Sequence, residues 1–366
     1  MFKKLIGALA ILAASSHAGL AADLSKMSWD EIVAQAKQEG EVSWFVWYFE
    51  DRFRPFVQQF TDETGIKVTI PDGDHDTNLA KMIADGSRDT GDIDVLAYGW
   101  DRIPTFPSDL LMPLSALPKD DARVGTLIGI DGNGKALAYW GNQTGIAYDP
   151  AKIAEADLPQ NPDQIAAFWQ AHPGQFGFNY ENGGSGPSFY RNVLRVVTGL
   201  DFSDGTDTPE RRAALQPGFD FFNKYAEDYQ ITASNADSLT RLSQGEFTMV
   251  AAWEDHLAGL QVSGEVRKDL KFYIPELGMD GGGNAVSIPV NAPHPAAALV
   301  FMNWLTSAKV QTELNKQFGT APMNKNADDS AALVSMKMRA RQVPAAAKPF
   351  RDAVDQLFIE DVIQER

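Results

Sequence analysis

The sequence has no cysteine among its 366 residues. This absence excludes disulfide bonds, thiolate metal sites and cysteine nucleophiles. Positive charge is also scarce, because 32 lysines and arginines stand against 49 aspartates and glutamates, which gives a formal net charge of −17. Nucleic acids and anionic membrane surfaces both attract proteins through basic clusters. The charge therefore argues against either one as the main partner.

Long apolar runs are missing after the N-terminus, where no stretch reaches the roughly 18 residues of a membrane-spanning helix. Residues 1–22 have the pattern of a secretory signal peptide. Lys3 and Lys4 precede a short apolar run at 5–14, and small residues around Ala21 and Ala22 offer a cleavage site. No cysteine follows that could carry a lipid anchor. The sequence therefore predicts an exported protein in the periplasm.

The first part of the remaining chain alternates between strand and helix patterns. Ser28 and Glu31 form a capping-box pattern that opens a helix, which Gly40 can end. The aromatic and β-branched run at 41–49 predicts a buried parallel strand. An amphipathic helix at 51–64, strands at 66–70 and 92–98, and a helix at 77–85 follow. This order predicts an α/β fold with a mostly parallel sheet covered by helices.

The second part repeats this alternation after a long strand at 136–148. Helices are predicted at 187–198, 209–228, 236–244 and 254–262, and strands at 247–252, 270–275 and 285–290. The last 75 residues or so are predicted to be helical from Pro295 onward. No flexible linker separates the two parts. Two lobes joined by several strands are therefore expected.

Catalytic and metal-binding signatures are incomplete. The segment 183–187 resembles a nucleophile elbow, but Pro187 stands where the final glycine would be. The segment from Asp72 begins like a calcium loop, but Thr77 and Ile83 replace its glycine and glutamate. A His/Asp metal site at 74–76 stays open beside a polar turn and a ligand-facing loop. The sequence predicts no cofactor and no catalytic residue.

Aromatic and acidic residues follow four of the predicted strands. In an open parallel sheet, ligands bind beyond the carboxyl ends of the strands. Each group alone can be packing, but all four together indicate a ligand cleft. Aromatic rings beside carboxylates suit a cation, and they suit a sugar as well. The candidate cleft residues at these strand ends are Trp47, Tyr48, Asp74, Trp100, Asp101, Trp253, Glu254 and Asp255.

Two glycine-rich segments complete the candidate site. Ser185 and Gly186 precede a predicted helix whose N-terminal amides can bind an oxygen. Asn284 closes the segment 280–284, whose glycines allow close approach of the backbone before a strand. Either segment can equally be a plain surface turn.

Several segments, taken together in their order along the chain, resemble the extracellular solute-binding proteins of ABC importers. The branch includes the spermidine/putrescine, iron and thiamine binders and an uncharacterised-importer periplasmic component. The resemblance spans nearly the whole chain after the leader, and it implies the two-lobed type II periplasmic binding fold, with crossover strands as a hinge and closure on a ligand. It does not fix the ligand. The segments that carry it are 42–48, 60–68, 92–95, 140–149, 282–289, 292–298 and 303–305.

The predicted organisation is a signal peptide at 1–22, lobe 1 at 23–140 with a returning segment after about 285, lobe 2 at 141–284, and C-terminal helices at 291–366. The predicted function is capture of a small polar solute by a monomer that delivers it to an inner-membrane permease. A cationic, amine-like solute is favoured by the carboxylates, and a sugar or polyol is next.

Other interpretations stay open. Arg52, Arg102 and Arg191 lie near the same loops, where they can neutralise those carboxylates or bind an anion. Two other functions are an exported glycoside hydrolase with paired carboxylates and a sensor that binds a receptor through an exposed apolar patch.

Overall fold

The computed structural model describes residues 24–366, so the predicted signal peptide at 1–22 lies outside the described residues. Within 24–366, no helix has both the length and the apolar character needed to cross a bilayer.

Helices and strands alternate through most of the described chain. The helices are α1 (Trp29–Glu39), α2 (Glu50–Thr64), α3 (His75–Asp85), α4 (Pro162–Ala171), α5 (Ser185–Thr198), α6 (Pro209–Ala213), α7 (Gln216–Lys224), α8 (Asn235–Ser243), α9 (Glu254–Ser263), α10 (Pro295–Leu305), α11 (Ala308–Phe318), α12 (Met336–Arg339) and α13 (Phe350–Phe358). The strands are β1 (Glu41–Phe45), β2 (Lys67–Thr69), β3 (Val95–Gly99), β4 (Thr126–Leu127), β5 (Ile130–Asp131), β6 (Leu137–Tyr148), β7 (Phe176–Asn179), β8 (Gln230–Thr232), β9 (Met249–Trp253), β10 (Lys271–Tyr273), β11 (Met279–Ser287) and β12 (Gln342–Val343).

The main sheet has the strand order β2-β1-β3-β11-β6-β9-β7-β8. We call β2, β1 and β3 the first half of the sheet, and β9, β7 and β8 the second half. Strands within each half are parallel, whereas β11 and β6 between them run antiparallel to each other and to their outer neighbours. The predicted α/β class is confirmed. Two antiparallel strands at the centre join its two parallel halves.

These two central strands are shared between the halves. Strand β6 pairs with β11 over its first part and with β9 from Thr144 to Tyr148. Strand β11 pairs with β12 at Met279 and Asp280, and with β3 from Asn284 onward. We propose β6 and β11 as the hinge, because each continues from one half of the sheet into the other.

Buried side chains form clusters that follow the two halves. The largest cluster collects residues from 146–279 together with Phe350, Val354 and Phe358 of α13. Two others collect residues from 24–140 and 285–323, including α10 and α11. The C-terminal part therefore packs on both halves. The lobe boundaries by residue number stay a prediction, with which this packing is consistent.

The first helices begin and end where the sequence indicates. The backbone N–H of Glu31 donates to the Ser28 hydroxyl, and the backbone N–H of Ser28 donates to the Glu31 carboxylate, so the predicted capping box is confirmed. Gly40 ends α1 in a left-handed conformation with φ of 75°. Helix α2 buries its predicted apolar stripe, which includes Phe53, Phe56 and Phe60.

Three predicted elements differ from the structure. The strand predicted at 285–290 begins at Met279, because the glycine run forms part of β11. The helix predicted at 209–228 is divided into α6 and α7, and Pro217, which has no backbone N–H, lies in the first turn of α7. The predicted helical C-terminus contains long irregular stretches at 319–335 and 344–349, where Pro322, Pro344 and Pro349 occur.

Substitution of Gly145 in β6 tests how closely β6 packs against β10. A Cβ at this position would lie 2.5 Å from the backbone oxygen of Tyr273 and 2.6 Å from the Phe272 ring. We expect Gly145→Ala to lower the free energy of unfolding by about 1–3 kcal/mol, as overpacked cores do. Urea denaturation measures the effect. Gly282→Ala is the matched control, because no atom lies within 4 Å of its Cβ position. Equal stability of the two variants would contradict the packing described here.

Candidate functional site

A cavity of about 370 Å³ lies where the two halves of the sheet meet. We call it the central cavity. The first half of the sheet and the segments that follow its strands contribute Trp47, His75, Asp101 and Arg102 to the lining, and the second half contributes Trp253 at the end of β9. Its remaining lining residues are Gly99, Ile128, Asn142, Gly184, Ser188, Arg191, Asp280, Gly281, Gly282, Gly283, Asn284, Ala345 and Arg351. Its volume is near the lower end for small-molecule sites, so it suits a small solute.

A larger cavity of about 890 Å³ is a weaker candidate. It is lined mainly by residues 113–126 and 131–137, with Lys325. It contains no aromatic residue, and the second half of the sheet contributes nothing to it. The central cavity instead combines aromatic rings, charged groups and glycine backbone from both halves, which is the composition expected of a ligand site.

The structure brings four of the predicted site residues to the central cavity: Trp47, Asp101, Trp253 and Asn284. It places seven others outside the cavity lining: Tyr48, Asp74, Trp100, Ser185, Gly186, Glu254 and Asp255. Each of these seven has a structural partner, described next.

Tyr48 lies behind the lining and supports it. Its hydroxyl accepts a hydrogen bond of 2.8 Å from the side-chain amide of Asn284 and lies 2.7 Å from the Tyr139 hydroxyl. Its ring packs edge-on against Trp47, with centroids 4.8 Å apart. Burial raises the pKa of Tyr48 well above its usual value, so the phenol stays neutral. Tyr48 therefore holds Asn284 and Trp47 in position.

Glu254 and Asp255 are buried beside the cavity and have protein partners. Glu254 accepts two hydrogen bonds, of 2.5 and 2.7 Å, from Arg339. Asp255 accepts one of 3.0 Å from the Trp140 indole. Burial raises the pKa of both carboxyls, in spite of these donors. Neither group is free to contact a solute or to act as an exposed carboxylate pair.

Asp74 caps a helix. Its carboxylate accepts hydrogen bonds from the backbone N–H of Thr77 at 2.9 Å and from the Thr77 hydroxyl at 2.5 Å, which lower its pKa. Asp74 is exposed at the start of α3. Within residues 24–366, no group of three or more histidines and carboxylates could hold a metal ion. The segment 74–76 therefore begins a helix and forms no metal cluster.

Trp100, Ser185 and Gly186 also serve the fold. Trp100 is fully buried, and its indole donates to the backbone oxygen of Ile130 at 3.1 Å. The backbone N–H groups of Ser185 and Gly186 donate to the side chains of Asn235 and Asn179, at 3.2 and 3.1 Å. The N-terminal amides of α5 that were predicted to bind a ligand are therefore already occupied by these two asparagines.

Seven polar or charged lining residues were not among the candidates. They are His75, Arg102, Asn142, Ser188, Arg191, Asp280 and Arg351. Arg102 and Arg191 were noted near the candidate loops, and His75 follows Asp74 directly. Arg351 carried no local indication in the sequence, because α13 reaches the cavity only through the packing of the C-terminal part.

The charged groups of the cavity fall into two sets. Arg191 donates to both carboxylate oxygens of Asp355, at 3.0 and 2.8 Å, and lies 3.8 Å from Asp280. Asp280 also accepts from Asn192 at 2.7 Å, and burial raises its pKa. These groups are paired within the protein, although Arg191 Nε is buried without a hydrogen-bond acceptor in the described part of the chain. Arg102 and Arg351 have only more distant carboxylates, at 3.8 and 3.7 Å.

His75 is a neutral member of the lining. One ring nitrogen accepts from the backbone N–H of Gly99 at 3.3 Å, and the other lies 3.3 Å from an Asp76 oxygen. Burial and the nearby Arg102 charge both lower its pKa. Its ring packs against Trp47, with centroids 4.5 Å apart. His75 therefore positions that tryptophan without adding charge at neutral pH.

Comparison with known proteins identifies the family of the chain. Residues 56–340 match the family described as bacterial extracellular solute-binding protein, which is more than half of the chain. The chain belongs to this family. The resemblance predicted from the sequence is thereby confirmed, and members of the family bind solutes and are not enzymes. No curated protein matches the sequence.

Solved structures of other solute-binding proteins share the fold. UgpB from Mycobacterium tuberculosis, in complex with glycerophosphocholine, is 17% identical with a TM-score of 0.70, over 89% of this chain and 94% of that one. The spermidine/putrescine protein PotD from Streptococcus pneumoniae is 14% identical with a TM-score of 0.64, over 88% and 99%. Iron-bound HitA from Pseudomonas aeruginosa is 19% identical with a TM-score of 0.59, over 87% and 98%.

The buried pair of Glu254 and Arg339 predicts a pH-dependent loss of stability in this solute-binding protein. Arg339→Met leaves the Glu254 carboxylate without its partner, which we expect to cost about 3–5 kcal/mol of unfolding free energy at neutral pH. Burial raises the pKa of Glu254 in the folded state and Arg339 lowers it, so removing Arg339 raises this pKa further, and the folded variant binds the proton more tightly than the folded wild type does. The loss should therefore shrink as pH falls from 7 toward 5.

Urea denaturation of the wild type and Arg339→Met at several pH values measures this. Glu254→Gln combined with Arg339→Met is the control, because it removes the charge and should show little of this pH dependence. A constant loss across the pH range would contradict a buried, ionised Glu254.

Proposed function

We propose that the protein is the periplasmic solute-binding component of an ABC importer, that it binds a small polar solute in the central cavity, and that it delivers the solute to an inner-membrane permease. The observation that carries this proposal is the position of the cavity. Residues from both halves of the sheet line it, directly beside the two strands that the halves share. A monomer can perform this function, because both sides of the cavity come from one chain.

Closure about β6 and β11 supplies a mechanism. Trp47 lies after β1 in the first half, whereas Trp253 ends β9 in the second. Rotation about the shared strands changes the distance between the two sides, so a solute that contacts both tryptophans stabilises the closed form. Tryptophan rings can cover the face of a sugar or a planar group. A permease can then distinguish the loaded from the empty protein by its shape.

Polar groups in the lining can orient the solute. Asn142 on β6 and Asn284 on β11 offer side-chain amides, and residues 281–283 offer backbone without side chains. The Asn284 amide is held by the Tyr48 hydroxyl, so its direction is fixed before the solute arrives. Fixed hydrogen-bonding groups lower the entropy that is lost on binding.

The expected cationic solute has lost much of its support. That expectation depended on unpaired carboxylates at Asp74, Asp101, Glu254 and Asp255. Of these, only Asp101 lines the central cavity. The structural neighbours include a spermidine/putrescine-binding protein, an iron-bound protein and a protein in complex with glycerophosphocholine. Proteins with the same fold are thus named for ligands of different charge, so the fold does not select the charge of the solute. A sugar-like solute fits the aromatic and amide groups.

The sensor interpretation has little support in the surface. The large hydrophobic side chains that are exposed within residues 24–366 are Ile83, Val196, Val262 and Val290. They lie on separate segments of the chain, and none of them lines the central cavity.

Gly282 provides a test of binding in the central cavity. Its Cβ position has no neighbour within 4 Å and faces the lining, so Gly282→Phe should occupy the cavity while the sheet stays intact. Wild type should melt at higher temperature with at least one solute from a panel of sugars, sugar acids, sugar phosphates and amines. A solute at 100 times its Kd adds about 2.7 kcal/mol. Gly282→Phe should lose this shift.

The matched control is Gly125→Phe, because Gly125 also has open space at its Cβ position but lies outside the central cavity. This variant should keep the shift, and both variants should melt near the wild type without solute. A solute that stabilises Gly282→Phe as strongly as the wild type would show that binding occurs elsewhere.

A further inference from the structure

We propose that the solute carries an anionic group, a carboxylate or a phosphate, which Arg102 and Arg351 bind, and that this group is attached to a sugar-sized ring that contacts Trp47 and Trp253. The inference rests on the proposed solute-binding function and names the chemical class of the solute. It follows from the charged groups that line the central cavity and from the partners that each of them has.

Arg191 is not available to a solute. Its guanidinium is bound by both oxygens of Asp355, and Asp280 lies on its other side at 3.8 Å. These three groups carry one positive and two negative charges, and Asn192 donates to Asp280, although Arg191 Nε is buried without an acceptor among residues 24–366. Their function is to connect α5, β11 and α13.

Arg102 lacks a close acceptor. Its nearest carboxylate oxygens belong to Asp76 and Asp101, and both lie 3.8 Å away, beyond hydrogen-bond distance. The side chain is 30% exposed. Among residues 24–366, no group accepts a hydrogen bond from its guanidinium. An arginine has five N–H donors in a planar arrangement, and most of them are therefore left for water or a ligand.

Arg351 likewise lacks a close acceptor. Its nearest carboxylate belongs to the adjacent Asp352 at 3.7 Å, and that carboxylate also pairs with Lys348 at 3.3 Å. The Arg351 side chain is only 20% exposed, yet its guanidinium donates to no acceptor in the described part of the chain. None of its nitrogens is among the buried atoms without a partner, so water reaches them, and an incoming anion can replace that water with charge-assisted hydrogen bonds.

The two arginines also share their surroundings. Both line the central cavity, and both line an adjoining cavity of about 590 Å³. Asp101, Ile128 and Ala345 are common to the two cavities as well. Arg102 and Arg351 therefore border the region where the cavities adjoin, and an anion there leaves the tryptophan surfaces free for the rest of the solute.

The chemistry of the donors selects the anion. A guanidinium binds a carboxylate or a phosphate through two parallel hydrogen bonds, and such charge-assisted pairs are stronger than neutral ones. A diamine would instead meet two cations and only one weakly paired carboxylate, Asp101. The Asp101 carboxylate and the Asn142 and Asn284 amides remain to bind hydroxyl groups of a sugar-sized ring.

Isothermal titration calorimetry with four probes tests the proposal. The probes are glucose 6-phosphate, glucuronate, glucose and putrescine. We expect one of the two anions to bind wild type at least about 100-fold more tightly than glucose or putrescine, because hydrogen bonds between charged groups are stronger than neutral ones. Added salt should weaken the binding of the anion more than the binding of glucose. Which anion binds better then distinguishes a phosphate from a carboxylate.

Variants assign the effect to the two arginines. Arg102→Gln with Arg351→Gln should lower the affinity for the anion to that for glucose. Arg88→Gln with Arg212→Gln is the matched control, because it removes the same charge from two half-exposed surface arginines. This control should bind as wild type does. Equal loss in both double variants, or no loss in the first, would overturn the assignment.

The remaining outcomes separate this inference from the proposed function. If glucose or putrescine binds more tightly than either anion, and Gly282→Phe abolishes this binding, the anionic class is wrong and the cavity is supported as a solute site. Binding of an anion that persists in Gly282→Phe would overturn both. If none of the four probes binds, the inference of a sugar-sized anion is wrong.

Discussion

The antiparallel pairing of β6 with β11 is the constraint on which the rest of the structure depends. Both strands are shared by the two halves of the sheet, so they set the position of the strands that border the central cavity. The pairing is tight. A Cβ on Gly281 would lie 2.0 Å from the Gln143 side chain, and one on Gly283 would lie 2.5 Å from the backbone oxygen of Trp140. Only Gly282 faces open space, and it faces the cavity. The glycine run is thus required by the strand pairing, and it leaves bare backbone at the site.

Around these strands, most of the buried charged groups have partners within the protein, although within residues 24–366 Gln143 Oε1 and Arg191 Nε are buried without one. Glu254 has Arg339, Asp255 has Trp140, and Arg191 has Asp355. Such matching is needed because a buried charge without a partner is costly. It also means that an acidic side chain near a cavity is no guide to the charge of the ligand. Arg102 and Arg351, which have no close acceptor among the described residues, indicate the charge of the ligand better than the many groups that are paired within the protein.

The comparison between sequence and structure shows where local patterns are sufficient. Ser28, Gly40 and the stripe of α2 could be read directly, because capping and amphipathic spacing are set by neighbouring residues. Trp47 and Trp253 were predicted at a cleft because strand ends converge at one edge of a parallel sheet, and both line the central cavity, while their contact with a solute stays a prediction. The partners of the strand-end carboxylates could not, since Arg339 follows Glu254 by 85 residues. The acceptors of the Ser185 and Gly186 amides could not be predicted for the same reason, because Asn235 and Asn179 reach these amides only in the folded protein.

Helix α13 has a consequence for the order in which the protein is made. A ribosome completes every strand of the sheet before it adds Arg351, which follows β12. The helix docks on the second half, where Phe358 stacks on Tyr190 with ring centroids 3.9 Å apart and Asp355 binds Arg191. A chain that lacks α13 therefore has both cavity tryptophans, but it has neither Arg351 nor the Asp355 partner of Arg191. The proposed binding site is completed only after the sheet that surrounds it.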